Sequence, residues 1–91
     1  MADTVSIKVK VVNRLGLHAR PAMAFVDLAA TFAASIWVVK GDTRVDGKSI
    51  MQMMMLAASQ GSELEVIAEG ADAARACEGL AKLVANGFDE E

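Results

Sequence analysis

The chain has 91 residues, 54% of them apolar and 4% aromatic, and a formal net charge of -3 at pH 7. That length fits one small domain spanning 1–91, and the apolar share excludes intrinsic disorder. An acidic chain without a basic run lacks the clustered cations and stacking side chains that nucleic acids require. No apolar stretch approaches the roughly 18 residues of a membrane span, and the alternation in MADTVSIKVK is unlike a secretion signal. With Cys77 as the single cysteine, no internal disulfide is expected, and a cytoplasmic location is.

Val5, Ile7, Val9 and Val11 alternate with polar neighbours, the period-two pattern of a half-buried strand. Asn13 to Leu17 read as a loop, and Pro21 suits the first turn of a helix. Ala22, Phe25, Val26, Ala29 and Phe32 then fall on one helical face. Ile36 to Lys40 form a second strand, with Trp37 as sheet packing, and Thr43 to Asp46 return as a third. Ser49 with Gln52 fits a capping box opening a helix of about ten residues, which Gly61 stops. Glu63 to Glu69 form a fourth strand with Leu64, Val66 and Ala68 inward and Glu63, Glu65 and Glu69 on the solvated face. Asp72 caps a last helix whose apolar side includes Cys77 as a core residue; Asn86-Gly87 end it before a loose FDEE tail. The order β-α-β-β-α-β-α predicts a two-layer α+β fold with an antiparallel sheet. Local pattern leaves a ferredoxin-like βαββαβ unit as an alternative.

His18, in LGLHARPA, is the one histidine of the chain. A lone histidine is usually a surface residue or a cap, but three neighbours argue for chemistry. A helix starting at Ala19–Pro21 leaves its first amides without partners close to the ring, an anion site reinforced by the helix dipole. Arg20 adds a permanent, planar, multi-donor cation suited to phosphate. Neutral imidazole is itself a competent nucleophile near pH 7. A helix end stabilises an anion by about 0.3–1 kcal/mol, up to roughly 2, too little for an enzyme acting alone. The pattern therefore predicts a phosphoryl carrier whose partners supply catalysis, without cofactor or metal.

In the stretch DGKSIMQMMMLA, Met53, Leu56 and Ala57, with Ile50, read as core. Met51, Met54 and Met55 fall largely on other faces, so some of them are expected at the surface, where adaptable thioethers suit docking to several partners. Lys48 and Arg14 are expected to lend that surface positive charge.

GLHARPA, VDGKSIM and the element order together resemble HPr, the histidine-containing phosphocarrier family of bacterial sugar phosphotransferase systems. Gly16 through Pro21 match the family pattern without a gap. The resemblance implies an open-faced β-sandwich, with a four-stranded antiparallel sheet covered on one side by three helices. It implies that His18 accepts a phosphoryl group on Nδ1 from phosphorylated enzyme I and donates it to enzyme II A domains. Arg20 and the amides of Ala19 and Arg20 are then the phosphate-holding groups. Ser49 matches the position phosphorylated by an HPr kinase/phosphorylase, where a charge of about -2 would disturb docking. The family commonly has Gly where this chain has Gln52. The run MQMMML is similar to the nitrogen-related branch (NPr) as well as the sugar branch. The leading expectation is a monomeric sugar-system carrier controlled at Ser49; the alternative is an NPr-like protein or a regulatory binding module acting through Ser49.

Overall fold

A computed structural model describes residues 3–89. Four strands, β1 (Thr4–Lys10), β2 (Ser35–Lys40), β3 (Thr43–Asp46) and β4 (Glu63–Glu69), alternate with helices α1 (Ala19–Ala29), α2 (Ile50–Met55) and α3 (Ala73–Ala85). The sheet order is β1-β4-β2-β3. All three pairings are antiparallel, with Ile7 opposite Val66, Val38 opposite Val66 and Val38 opposite Val45. A ferredoxin-like unit is also antiparallel throughout, because a third strand splits each βαβ crossover, but it sets β1 and β3 side by side at the centre of the sheet. Here β1 and β3 are the two edge strands, and that order excludes the alternative and establishes the open-faced sandwich.

Strand alternation decides which face is covered. Ile36, Val38, Val45, Leu64, Val66 and Ala68 point inward and are buried. They meet Ala22, Phe25 and Ala29 of α1, Met53 of α2, and Ala76, Cys77, Leu80 and Val84 of α3 in one continuous core. The outer face carries Glu63, Glu65 and Glu69 with Lys8 and Lys10 opposite Glu65 and Glu63. Trp37 is half-buried there, with the Arg44 guanidinium 4.6 Å from its ring centroid. Burial pushes the Cys77 thiol up, so it stays protonated and inert, as a core residue does.

Four local expectations are corrected by long-range contacts. Phe32 lies past the end of α1, against Gly79 of α3, rather than on the α1 face. Asp72 stands at the start of α3 without capping it; its carboxylate accepts from the Ala33 and Ala34 amides, each at 2.8 Å. Those two bonds hold its pKa below the usual Asp value. α2 has 6 residues rather than about ten. Ala57, expected in the core as part of that longer helix, is exposed and turns into the left-handed region at φ 50°. The carbonyl of the next residue, Ala58, accepts from the Leu17 amide at 2.8 Å. Phe88 is not in a loose tail: it is 5% exposed, in a 3-10 turn (Gly87–Asp89) folded back on the core. Glu90 and Glu91 lie outside the described residues.

Candidate functional site

The loop before α1 is built to hold one residue at the helix mouth. Asn13, buried, donates from Nδ2 to the Gly16 carbonyl at 2.7 Å, and the Gly16 amide returns to the Asn13 carbonyl at 3.2 Å. Gly16 has φ 72°, and a Cβ there would stand 2.5 Å from the Ala58 carbonyl oxygen and 2.9 Å from Ser59 Cα. Only glycine allows both that backbone and that approach. Leu17 is buried, anchoring the loop from below.

His18 follows as the N-cap residue of α1, in extended conformation at φ -99° and ψ -165°. It is half-buried, and its side chain makes no cap hydrogen bond. Its carbonyl accepts from the Ala22 amide at 2.9 Å, which is where the helical ladder begins. Pro21 has no N–H, so the amides of Ala19 and Arg20 are the donors that the ladder leaves over. Both residues are exposed, and Pro21 and Ala22 behind them are buried. The arrangement brings His18, Ala19 and Arg20 together at the start of α1, with Ala19 and Arg20 exposed. A helix start of this kind attracts anions.

The second candidate position lies at the other end of the helical layer. Ser49 is the N-cap of α2, and its Oγ accepts from the Gln52 amide at 3.3 Å. The box is one-sided: Gln52 Oε1 accepts from the Asp46 amide at 2.9 Å, past the Ser49 amide that a full box would engage. The C-terminal side of α2 meets the His18 loop through Leu17 and Ala58. Its N-terminal side meets the far end of α1, because Lys48 Nζ donates to the Phe32 carbonyl at 2.8 Å. The two helices therefore run in opposite directions, and about 16 Å of α1 separates the His18 and Ser49 ends.

Met51, Met54 and Met55 are 76%, 45% and 73% exposed, while Met53 is fully buried. The helical spacing of the run thus predicts their exposure correctly. The Lys48 ammonium donates to the Phe32 carbonyl on the loop after α1. Leu15, 72% exposed, and Met23, 50% exposed, extend the apolar surface around His18. Sequence reasoning missed both, although the signals were present: Leu15 is an apolar residue inside a turn, and Met23 falls off the apolar face of α1. Arg14 is exposed beside them.

The family model described as the PTS HPr component phosphorylation site matches residues 5–86. The chain belongs to the HPr family. Phosphocarrier protein HPr of Neisseria meningitidis serogroup A is 45% identical over 82 residues, covering 90% of this chain and 92% of that protein. Phosphocarrier protein NPr of Proteus mirabilis is 36% identical over 85 residues, covering 92% of this chain and 94% of that protein. A crystal structure of HPr from Thermoanaerobacter tengcongensis superposes with a TM-score of 0.91 at 41% identity, covering 96% and 98% of the two chains. The phosphocarrier family, the phosphotransferase system and the open-faced fold are thereby established for this HPr-family chain. No helix among the described residues is long and apolar enough to cross a membrane.

Proposed function

We propose that this protein is a stoichiometric phosphoryl carrier, taking a phosphoryl group on His18 from phosphorylated enzyme I and passing it to enzyme II A domains of a sugar phosphotransferase system. Nδ1 of the neutral imidazole attacks phosphorus. The N–P bond forms as the donor's bond to phosphorus breaks, and the donor keeps that electron pair. The second ring nitrogen retains its proton. The Ala19 and Arg20 amides and the Arg20 guanidinium hold the phosphoryl oxygens. The observation that carries this reading is the position of His18: an N-cap residue whose side chain makes no cap bond, beside two amides left out of the helical ladder. Such a mouth supplies up to roughly 2 kcal/mol, less than about a thirtyfold effect, so the partner enzymes provide the catalysis and the carrier itself needs no cofactor or metal.

Met51, Met54 and Met55, joined by Leu15 and Met23, form the docking face. Ser49 is the control point, phosphorylated by an HPr kinase/phosphorylase, whose product places a charge of about -2 on the helix that carries the docking methionines. The carrier acts as a monomer in the cytoplasm. Incubation with enzyme I and phosphoenolpyruvate is expected to add an acid-labile, base-stable phosphate that His18→Ala loses entirely. Full phosphorylation of His18→Ala overturns the assignment. Incubation with ATP and an HPr kinase is expected to add an acid-stable phosphate that Ser49→Ala loses.

A further inference from the structure

Of the 6 methionines in the chain, one, Met53, is a fully buried core residue. Four others, Met23, Met51, Met54 and Met55, are 50%, 76%, 45% and 73% exposed. They lie on α1 and α2, which pack against each other and whose neighbouring ends meet through the Leu17 amide and the Ala58 carbonyl. Met51 and Met55 are four residues apart on one helical face with Met54 beside them. A thioether in such a place does two things that a leucine does not: it adapts to varied partner surfaces, and it accepts an oxygen atom reversibly. The cysteine, Cys77, is 2% exposed and offers an oxidant no comparable access.

We propose that these four methionines make the docking face a peroxide-sensitive switch, in which sulfoxide formation at Met23, Met51, Met54 and Met55 shuts down phosphoryl transfer while His18 remains intact. The proposal rests on the carrier function proposed above. Each sulfur lone pair attacks one oxygen of hydrogen peroxide. The S–O bond forms, the O–O bond breaks, and the departing hydroxide takes the proton from the new S–OH group and leaves as water. Sulfur is oxidised by two electrons and the peroxide is reduced to water. The sulfoxide oxygen is a strong acceptor, and docking that removes it from water without a donor is penalised. A loss of about tenfold in the rate of phosphoryl uptake corresponds to the lower part of that penalty.

The test treats the protein with hydrogen peroxide, removes the peroxide with catalase, and maps oxidation by mass spectrometry before enzyme I and phosphoenolpyruvate are added. One added oxygen is expected on each of the four exposed methionines, with Met53 unmodified and the thermal unfolding midpoint unchanged. The initial rate of His18 phosphorylation is expected to fall about tenfold and to recover after methionine sulfoxide reductases A and B with a thiol reductant. A variant with all four replaced by Leu is expected to give equal rates before and after peroxide, whatever its starting rate. An unchanged rate in the mapped, oxidised protein overturns the switch. So does a loss that the reductases do not reverse, a loss accompanied by unfolding, or peroxide sensitivity in the four-Leu variant. Each of these outcomes leaves the carrier function standing. Untreated protein that takes no phosphate from enzyme I overturns the carrier function and the switch together.

Discussion

Two helix starts in this protein use their N-cap side chains in opposite ways. At α2, Ser49 Oγ turns inward and accepts from the Gln52 amide, so the side chain completes its own helix. At α1, the His18 side chain makes no cap bond, and the ladder begins only at Ala22. The serine side chain satisfies one of its own helix's first donors, and the histidine side chain does not. A capped start is locally stable and weakly attractive to anions; a start whose amides face solvent gives up some local stability for a binding surface. The difference explains why the loop before α1 is so firmly braced by Asn13, Gly16 and Leu17. Tertiary contacts supply the order that the missing cap does not.

Beyond the complete loss of phosphate uptake in His18→Ala, the most damaging change to this contrast is Gly16→Ala. It places a Cβ against the Ala58 carbonyl and Ser59 Cα in a left-handed residue. A stability loss of about 3 kcal/mol is expected in urea unfolding, together with slower phosphorylation of His18. If Gly16→Ala matches the parent in both, the bracing argument fails. Arg20→Ala removes the guanidinium from the histidine's helix mouth while leaving the fold alone. Because Arg20 is exposed and screened, the expected drop in phosphoryl transfer rate is about tenfold, read by rapid quench. Ser49→Ala tests the other start: loss of the cap is expected to lower stability by about 1 kcal/mol in denaturant titration.

The smallest effect concerns a third helix start. Asp72 stands before α3, but its carboxylate is engaged by the Ala33 and Ala34 amides. Those hydrogen bonds depress its pKa below the ordinary 3.8. The carboxylate therefore stabilises the fold fully above the unfolded-state value and loses that contribution as pH falls through its lower folded-state value. Asp72→Asn is expected to flatten that acid limb of the stability curve, measured by thermal unfolding between about pH 5 and pH 2. An unchanged limb shows that the carboxylate does not sense the loop.

The strands were legible because a period of two is a local property: Leu64, Val66 and Ala68 announce an inward face within seven residues. The position of His18 at a helix start was legible for a similar reason, since Pro21 belongs in a first turn. The exposed Met51, Met54 and Met55 follow from the same helical arithmetic that buries Met53. Where prediction failed, the deciding partner was distant in the chain. Asp72 was expected to cap α3 and is instead engaged by the Ala33 and Ala34 amides. Leu15 and Met23 were a different kind of miss, since a turn position and a place off the apolar face of α1 already pointed to their exposure.

By itself, the sequence determined the β-α-β-β-α-β-α order, the inward faces and the placing of the imidazole at the mouth of α1, since each is written in spacings of two to four residues. Tertiary structure alone decided that the strands lie in the order β1-β4-β2-β3, that α2 stops at Met55, that Asp72 reaches across to the loop after α1, and that Phe88 is buried. Those outcomes depend on hydrogen bonds and contacts between segments tens of residues apart. Periodicity tells a segment which face to bury, but not which carbonyl or amide will meet it there.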